Sequence, residues 1–175
     1  SINTGYRPPT LAEMYYFYNA PFAGYSIDQL PADSAATRAL GGGNMKGEYS
    51  RNYSIGVDAT PVDNFHLTGN LYYIAINDRL ASTTTLGGSY VAEALAQSGL
   101  SGVTYASYYT NPVNTQTFGG DFNADYTLHT PRYGTFRFAM GFNFSDNEIR
   151  SYNATPSVLA SHGLSTFNNL SLIHI

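Results

Sequence analysis

The chain has 175 residues, the size of one ordinary domain, and no cysteine, so disulfide frameworks, thiolate metal sites and cysteine nucleophiles are excluded. Its 8 basic and 12 acidic residues give a net charge of −4, which argues against a nucleic-acid partner because phosphate neutralisation needs clustered Lys and Arg. Charged residues make up 11%, against about 25% in soluble domains, while 16 Tyr and 10 Phe raise the aromatic share to 15%. No apolar run approaches the roughly 18 residues of a membrane helix, yet so little charge is unusual for a chain surrounded by water.

Both ends read as cut: the chain begins Ser1-Ile2-Asn3, and residues 170–175 break the preceding pattern and resemble a translated adaptor read-through, so they are set aside as a non-native tail. A strand end is expected over residues 2–6. Thr10-Leu11-Ala12-Glu13 then reads as a capping box opening a short helix. Asp33-Ser34 caps a second over 35–40, with Gly41 as its left-handed stop. Residues 49–60 alternate with period two: Tyr53, Ile55, Val57 and Ala59 on one face, Asn52, Ser54, Gly56, Asp58 and Thr60 on the other. Pro61-Val62-Asp63-Asn64 predicts a tight turn, with Pro at its second position.

Residues 67–79 form the next strand, with Leu67, Gly69, Leu71 and Tyr73 opposite Thr68, Asn70 and Tyr72, and the apolar face switches near Ala75. A helix over 91–98, capped by Ser89 and ended by Gly99, lies in the long connection 81–113. None of the three helices shows a wide apolar stripe, so they read as local packing devices. The third strand places Phe118, Gly120, Phe122, Ala124, Tyr126 and Leu128 against Thr117, Gly119, Asp121, Asn123, Asp125 and Thr127. After the short turn 129–133, the fourth sets Phe136, Phe138, Met140, Phe142 and Phe144 against Thr135, Arg137, Ala139, Gly141, Asn143 and Ser145. Long connections fall at one end of the sheet and short turns at the other, the asymmetry of outer-membrane barrels.

Alternation alone also fits a soluble β-sandwich. The polar faces decide for a barrel: they carry Gly, Ser, Thr, Asn, Asp58, Asp121, Asp125 and Arg137 rather than the many Lys and Glu of a sheet facing bulk water. The apolar faces carry no charge over their central stretch, as required where Lys or Arg at the bilayer midplane costs about 2–4 kcal/mol. Ile55, Val57, Leu67, Leu71, Phe122, Phe138, Met140 and Phe142 are therefore expected to face lipid. Asp58, Asn70, Asp121, Asn123, Asp125, Arg137 and Asn143 are expected to face a hydrated lumen. Four or five strands cannot close a barrel, so the chain is expected to be a fragment of a larger one. The fold class is thus all-β: an antiparallel up-and-down meander, a partial segment of a large transmembrane β-barrel, with short helices in long extracellular loops.

Five motifs then follow in order. Gly5-Tyr6-Arg7-Pro8-Pro9-Thr10-Leu11-Ala12-Glu13-Met14-Tyr15 resembles the G-[FY]-R-x-P-x-L-x-E-[LM]-Y stretch of TonB-dependent outer-membrane receptors. Residues 38–48 resemble R-A-L-G…L-K-P-E, 52–57 N-Y-S-x-G, 76–80 I-x-D-R-[IL], and 109–121 F-T-N-x-x-x-T-x-T-x-G-x-[DE]. Gly47 replaces the usual Pro, and Phe118 stands where Gln is common. The resemblance implies that residues 1–169 belong to the C-terminal half of a roughly 22-stranded transporter barrel, whose plug, TonB box and final strands are outside this chain. It further implies active import of a scarce, bulky nutrient (ferric siderophore, cobalamin or oligosaccharide) across the bacterial outer membrane, with outer-membrane lipid, TonB and the nutrient as partners.

No enzyme chemistry is expected. His66, His129, His162 and His174 lack metal-ligand spacing, so no metal and no cofactor are expected, and Gly41-Gly42-Gly43 reads as a helix stop. Asp121 and Asp125 stand about 13–14 Å apart along one strand face, too far to act on one bond. Ligand contact is expected from loop aromatics, namely Tyr15, Tyr16, Tyr18 and Tyr25 in one stretch and Tyr108 and Tyr109 in another. A passive porin-like channel and a soluble carbohydrate-binding or adhesin-like sandwich are the alternatives.

Overall fold

The computed structural model describes residues 1–22 and 25–167, and of these all side chains but those of 22 and 25. In chain order the described elements are β1 (Ile2–Arg7), α1 (Leu11–Tyr15), β2 (Tyr18–Phe22), β3 (Tyr25–Leu30), α2 (Ala35–Ala39), β4 (Glu48–Val62), β5 (Phe65–Ser82), β6 (Leu86–Gly87), α3 (Ser89–Gln97), β7 (Tyr105–Thr130), β8 (Gly134–Tyr152) and α4 (Ser157–Ala160). The sheet order is β1-β4-β5-β7-β3-β2, with β6 and β8 also paired to β7. The chain is an all-β meander of the partial-barrel class expected from the alternation. Residues 170–175 lie outside the described residues. No described helix is long and apolar enough to cross a membrane.

The chain divides into two compact units. The first comprises Ser1–Gly5, Ser50–Ile76 and Thr115–Ile149, the ribbon of long strands with the short turns. β4 and β5 are joined by Asp63-Asn64 alone, and Asn64 takes the left-handed φ of 64° that Asn tolerates better than most residues. The turn is shorter than expected, because Pro61 and Val62 remain in β4. Proline fits a strand position whose missing N–H no ladder requires: β1 meets β4 at Ser54, whose N–H donates to Ser1 O at 3.0 Å, seven residues before Pro61. At the other turn Gly134 adopts φ 86° and Thr130 Oγ1 donates to Gly134 O at 2.7 Å.

The second unit is built from the long connections, residues 6–49, 77–114 and from 150 onward. Its interior holds Leu30, Leu40, Leu86, Val91, Leu95, Ala106, Tyr108 and Leu159. α1 carries the expected capping box: Glu13 N–H donates to Thr10 Oγ1 at 3.2 Å and Thr10 N–H to Glu13 Oε2 at 2.7 Å. α2 is capped by Ser34, and Gly41 follows at φ 77°. α3 departs from expectation in two respects. Its N-cap is Gly88 at φ 110°, a backbone state that Ser89 would adopt only under strain, so Ser89 becomes the first helical residue. It also buries Val91, Ala94 and Leu95, the i, i+3, i+4 set of one helix face, and so contributes directly to the core.

The connection expected over 81–113 is shorter, since β5 runs to Ser82 and β7 begins at Tyr105. The β2–β3 hairpin has no counterpart among the expected strands. β3 joins β7 in parallel, Asp28 opposite Ala106 and Leu30 opposite Tyr108. β6 pairs the same Ala106 antiparallel through Leu86, so it occupies the other side of β7.

Candidate functional site

In the ribbon unit the two faces differ as the alternation requires. On the apolar face Ile55 is 74% exposed, Met140 71% and Phe142 60%, and Val57, Phe122 and Phe138 are also exposed. Leu67 and Leu71 are half-buried. Aromatic contacts mark the limits of this face. Near the turns Phe65 meets Tyr126 edge-on, with centroids 6.4 Å apart. Toward the other end Tyr53 meets Tyr73 at 6.3 Å and Phe118 meets Phe144 at 5.7 Å. Beyond that second row the same face turns polar: Tyr73 Oη donates to Gln116 Oε1 at 3.0 Å, and Gln116 Nε2 to Glu148 Oε2 at 2.8 Å. Midway between the rows Gly69 lets the strands pack flat, since a Cβ there would stand 3.1 Å from the Phe122 ring and 3.5 Å from Val57.

The opposite face is polar and laced by short side-chain bonds. His66 Nε2 and Asp58 Oδ1 lie 2.8 Å apart, Thr117 Oγ1 donates to Asn147 Oδ1 at 2.6 Å, and Asn123 Nδ2 donates to Thr68 Oγ1 at 3.4 Å. Arg137 Nη2 reaches Asp125 Oδ1 at 3.4 Å. Asn70, Asp121 and Asn143 are exposed on it. No cluster of three or more His, Cys, Asp or Glu able to hold a metal occurs among the described residues.

The loop-built unit brings together residues from separate motifs. Arg7 Nε donates to Glu48 Oε2 at 2.7 Å and its Nη1 to both oxygens of Glu13 at 3.1 Å. Glu48 Oε1 in turn accepts the Leu80 N–H at 2.7 Å. Beside this clasp Asn111 acts as a second tie. Its Oδ1 accepts from Lys46 N–H at 2.7 Å, and its Nδ2 donates to Lys46 O at 2.9 Å and to Asp78 O at 2.6 Å. Asp78 sits at φ 52°, its N–H held by Asn114 Oδ1 at 2.7 Å. The recurring Arg, Glu, Asp and Asn of the sequence motifs are thus hydrogen-bonded struts between strand ends, a role that spacing alone did not reveal.

The clasp titrates. The Arg7 hydrogen bond, aided by the Leu80 N–H, holds the Glu48 carboxyl below the ordinary glutamate value against the opposing effect of burial. Burial pushes hardest on Glu13, upward, yet bonds from Thr10 and Arg7 together hold it low. The Arg7 guanidinium is raised, chiefly by Glu48. Since both carboxyls have lower pKa values folded than unfolded, their contribution is complete above roughly pH 4.5 and is lost as pH falls through the folded values. The Leu80 amide should therefore lose hydrogen-exchange protection on acidification. Glu48→Gln should remove about 1–3 kcal/mol of that protection already at neutral pH, the scale of a bond to a charged group.

The expected ligand aromatics separate into groups. Tyr15, Tyr16 and Tyr18 are all more than half exposed, and the Tyr16 and Tyr18 rings lie parallel within 8° at 6.3 Å. Phe17 of the same aromatic stretch and Leu11 are exposed with them. Tyr109 is half-buried, and the Tyr25 side chain lies outside the described residues. Tyr108 is a correction: only 1% exposed, it fills the loop core and donates its hydroxyl to Leu40 O at 3.2 Å. Its alternation with the polar Ser107 is local, but the cluster that buries it, Leu30, Leu40 and Leu86 among others, is gathered from elsewhere in the chain.

The family model described as TonB dependent receptor-like, beta-barrel matches residues 1–170. No curated protein matches the chain.

Proposed function

The chain belongs to the TonB-dependent receptor β-barrel family, and on that premise we propose that it forms part of the wall and outer loops of a transporter importing a bulky, scarce nutrient such as a ferric siderophore, cobalamin or an oligosaccharide. The family is one of bacterial outer-membrane transporters and not of enzymes. The observation that carries the reading is the two-faced ribbon, with its apolar face bounded by two aromatic rows. Between the rows, from Phe118 to Tyr126, that face spans about 26 Å of strand, or about 20 Å at a tilt of about 40°, and Leu128 just beyond the near row extends the apolar stretch to about 25 Å, the height of an outer-membrane apolar band.

The eight apolar residues named above then face lipid, Tyr53, Tyr73, Tyr126 and their ring partners form the interfacial girdles, and the polar face lines the lumen. Two shallow grooves of about 270 and 510 Å³ open on the apolar face, lined in part by Ile55, Leu71 and Phe122, and suit acyl chains. A sandwich would need a second sheet over Ile55, Phe122 and Phe138, which are exposed. TonB acts through a part of the receptor beyond this segment.

The test is uptake by the intact receptor in cells. Removing TonB, or collapsing the proton gradient, should abolish accumulation of the nutrient. Uptake that persists unchanged would favour a passive channel. At the outer surface, Tyr16 and Tyr18 supply flat, amphipathic area for sugar or catecholate rings. Replacing each by Ala should weaken ligand binding about 2- to 10-fold, the scale of one ring contact, without altering the receptor's abundance in the membrane. Unchanged affinity in the double variant would remove these rings from the ligand surface.

A further inference from the structure

The loop-built unit holds a cavity of about 210 Å³ whose wall is gathered from separate stretches of the chain. Asn44 and Lys46 precede β4, Asp78 lies in β5, Thr110 and Asn111 in β7, and Asn153 follows β8. The backbone is bent at this wall. Asn44 stands at φ 54° and Asp78 at φ 52°, and the only other non-glycine residue at positive φ among the described residues is Asn64 of the tight turn. A left-handed residue inside a strand is strained, and such strain concentrates at ligand sites. Neighbouring amides hold the bend. Asn114 Oδ1 accepts the Asp78 N–H at 2.7 Å, while Asn111 Nδ2 donates to Asp78 O and to Lys46 O. Asn111 is thereby a buried strut of the wall, its amide fully engaged with backbone.

The other polar groups of the wall are free. The Lys46 ammonium, the Asp78 carboxylate, the Asn44 amide and the Thr110 hydroxyl make no hydrogen bond or ion pair with another described residue. Asn153 engages only Nδ2, which donates to Asn111 O. The wall therefore offers both donors and acceptors, and Pro112 and Pro156 add apolar ring faces. Lys46 and Asp78 cancel in charge, so the wall gives an anionic ferric complex no electrostatic advantage over a neutral molecule. A neutral ring with hydroxyls on its edge and C–H groups on its faces matches this mixture. The cavity is smaller than the roughly 300–1,000 Å³ of sites that enclose a whole small-molecule ligand, so it takes one ring of a larger molecule. We propose that it binds one sugar residue of an oligosaccharide, whose hydroxyls donate to the Asp78 carboxylate and accept from Lys46 Nζ, with Asn44 and Asn153 at the exposed rim. The assignment narrows the nutrient to the oligosaccharide class, and in that respect it rests on the transporter reading.

Calorimetric titration of the intact receptor in detergent tests binding without TonB or a proton gradient. The probes are a panel of neutral di- to hexasaccharides of glucose, galactose, mannose and xylose, and a ferric tricatecholate complex. At least one saccharide should bind, and Asp78→Asn should weaken it about tenfold, the loss of one charge-assisted acceptor. Asn tolerates the left-handed backbone at that position, so this variant keeps the fold. Lys46→Gln, at an exposed side chain, should weaken binding several-fold. The proposal is overturned if no saccharide binds, if both variants bind as tightly as wild type, or if the ferric complex is the probe that binds and the variants weaken. Uptake that needs TonB, with no saccharide bound, would remove this assignment alone. Saccharide binding that both variants weaken, with uptake indifferent to TonB, would remove the transport reading alone.

Discussion

Met140→Arg should destabilise the assembled receptor in lipid by about 2–4 kcal/mol, enough to shift its folding equilibrium by a factor of roughly thirty to several hundred. Met140 is 71% exposed on the apolar face of β8, midway between Phe136 near the turn and Phe144 in the far aromatic row. With that face in lipid as proposed, a guanidinium at that height would have neither water nor a polar partner, and its stem would be short of either interface. Asn143→Arg is the matched control. It adds the same charge three residues away on the polar face, where the effect should stay within about 0.5 kcal/mol. Denaturant unfolding and refolding in lipid vesicles measures both. If the two variants proved equally stable, the apolar face would not be in contact with hydrocarbon.

Tyr108→Ala should destabilise the loop-built unit by about 3–5 kcal/mol, the range for losing a fully buried aromatic ring. The ring lies over Gly42 and among Leu30, Leu40 and Leu86. Its truncation leaves a cavity that helix and strand termini fixed by hydrogen bonds cannot readily collapse. Tyr108→Phe keeps the ring and loses only the bond to Leu40 O, with an expected cost of about 1 kcal/mol. The phenol's own titration should be displaced upward, since burial pushes it to about 12. Protease resistance of the loops reads the stability difference, and ligand binding by Tyr108→Phe should match wild type. A selective loss of binding in that variant would return Tyr108 to the ligand surface.

How far these features were legible depended on how local their causes are. A strand with one face apolar writes its period directly into the chain, so β4, β5, β7 and β8 could be read wherever residues such as Ile55, Phe122 and Phe138 alternate with small or polar ones. Capping is equally local: Thr10 with Glu13, and Ser34 with Gly41, satisfy backbone groups within one turn. The Ser89 cap failed for a local reason as well, because only the positive φ of Gly88 gives the chain its entry into α3.

Other features join residues far apart in sequence and leave no periodic trace. Arg7 meets Glu48 across 41 positions, Asn111 meets Lys46 across 65, and Tyr108 reaches Leu40 across 68. The parallel seating of β3 on β7 belongs to the same group, and with it the burial of Asp28. Tyr108 and Tyr16 look alike as loop tyrosines in the chain; burial of Tyr108 in the cluster with Leu30, Leu40 and Leu86 separates them.

By itself the amino-acid sequence determined the class of this protein: the side-chain period of two divides each long strand into an apolar and a polar face, and the motif order places it among the receptor barrels. Only the tertiary structure decided which loop residues are surface and which are core, because burial is settled by what arrives from elsewhere in the chain. The physical reason is range. Backbone geometry and capping act over a few residues, whereas desolvation, ion pairing and packing act between whichever groups the completed fold brings together.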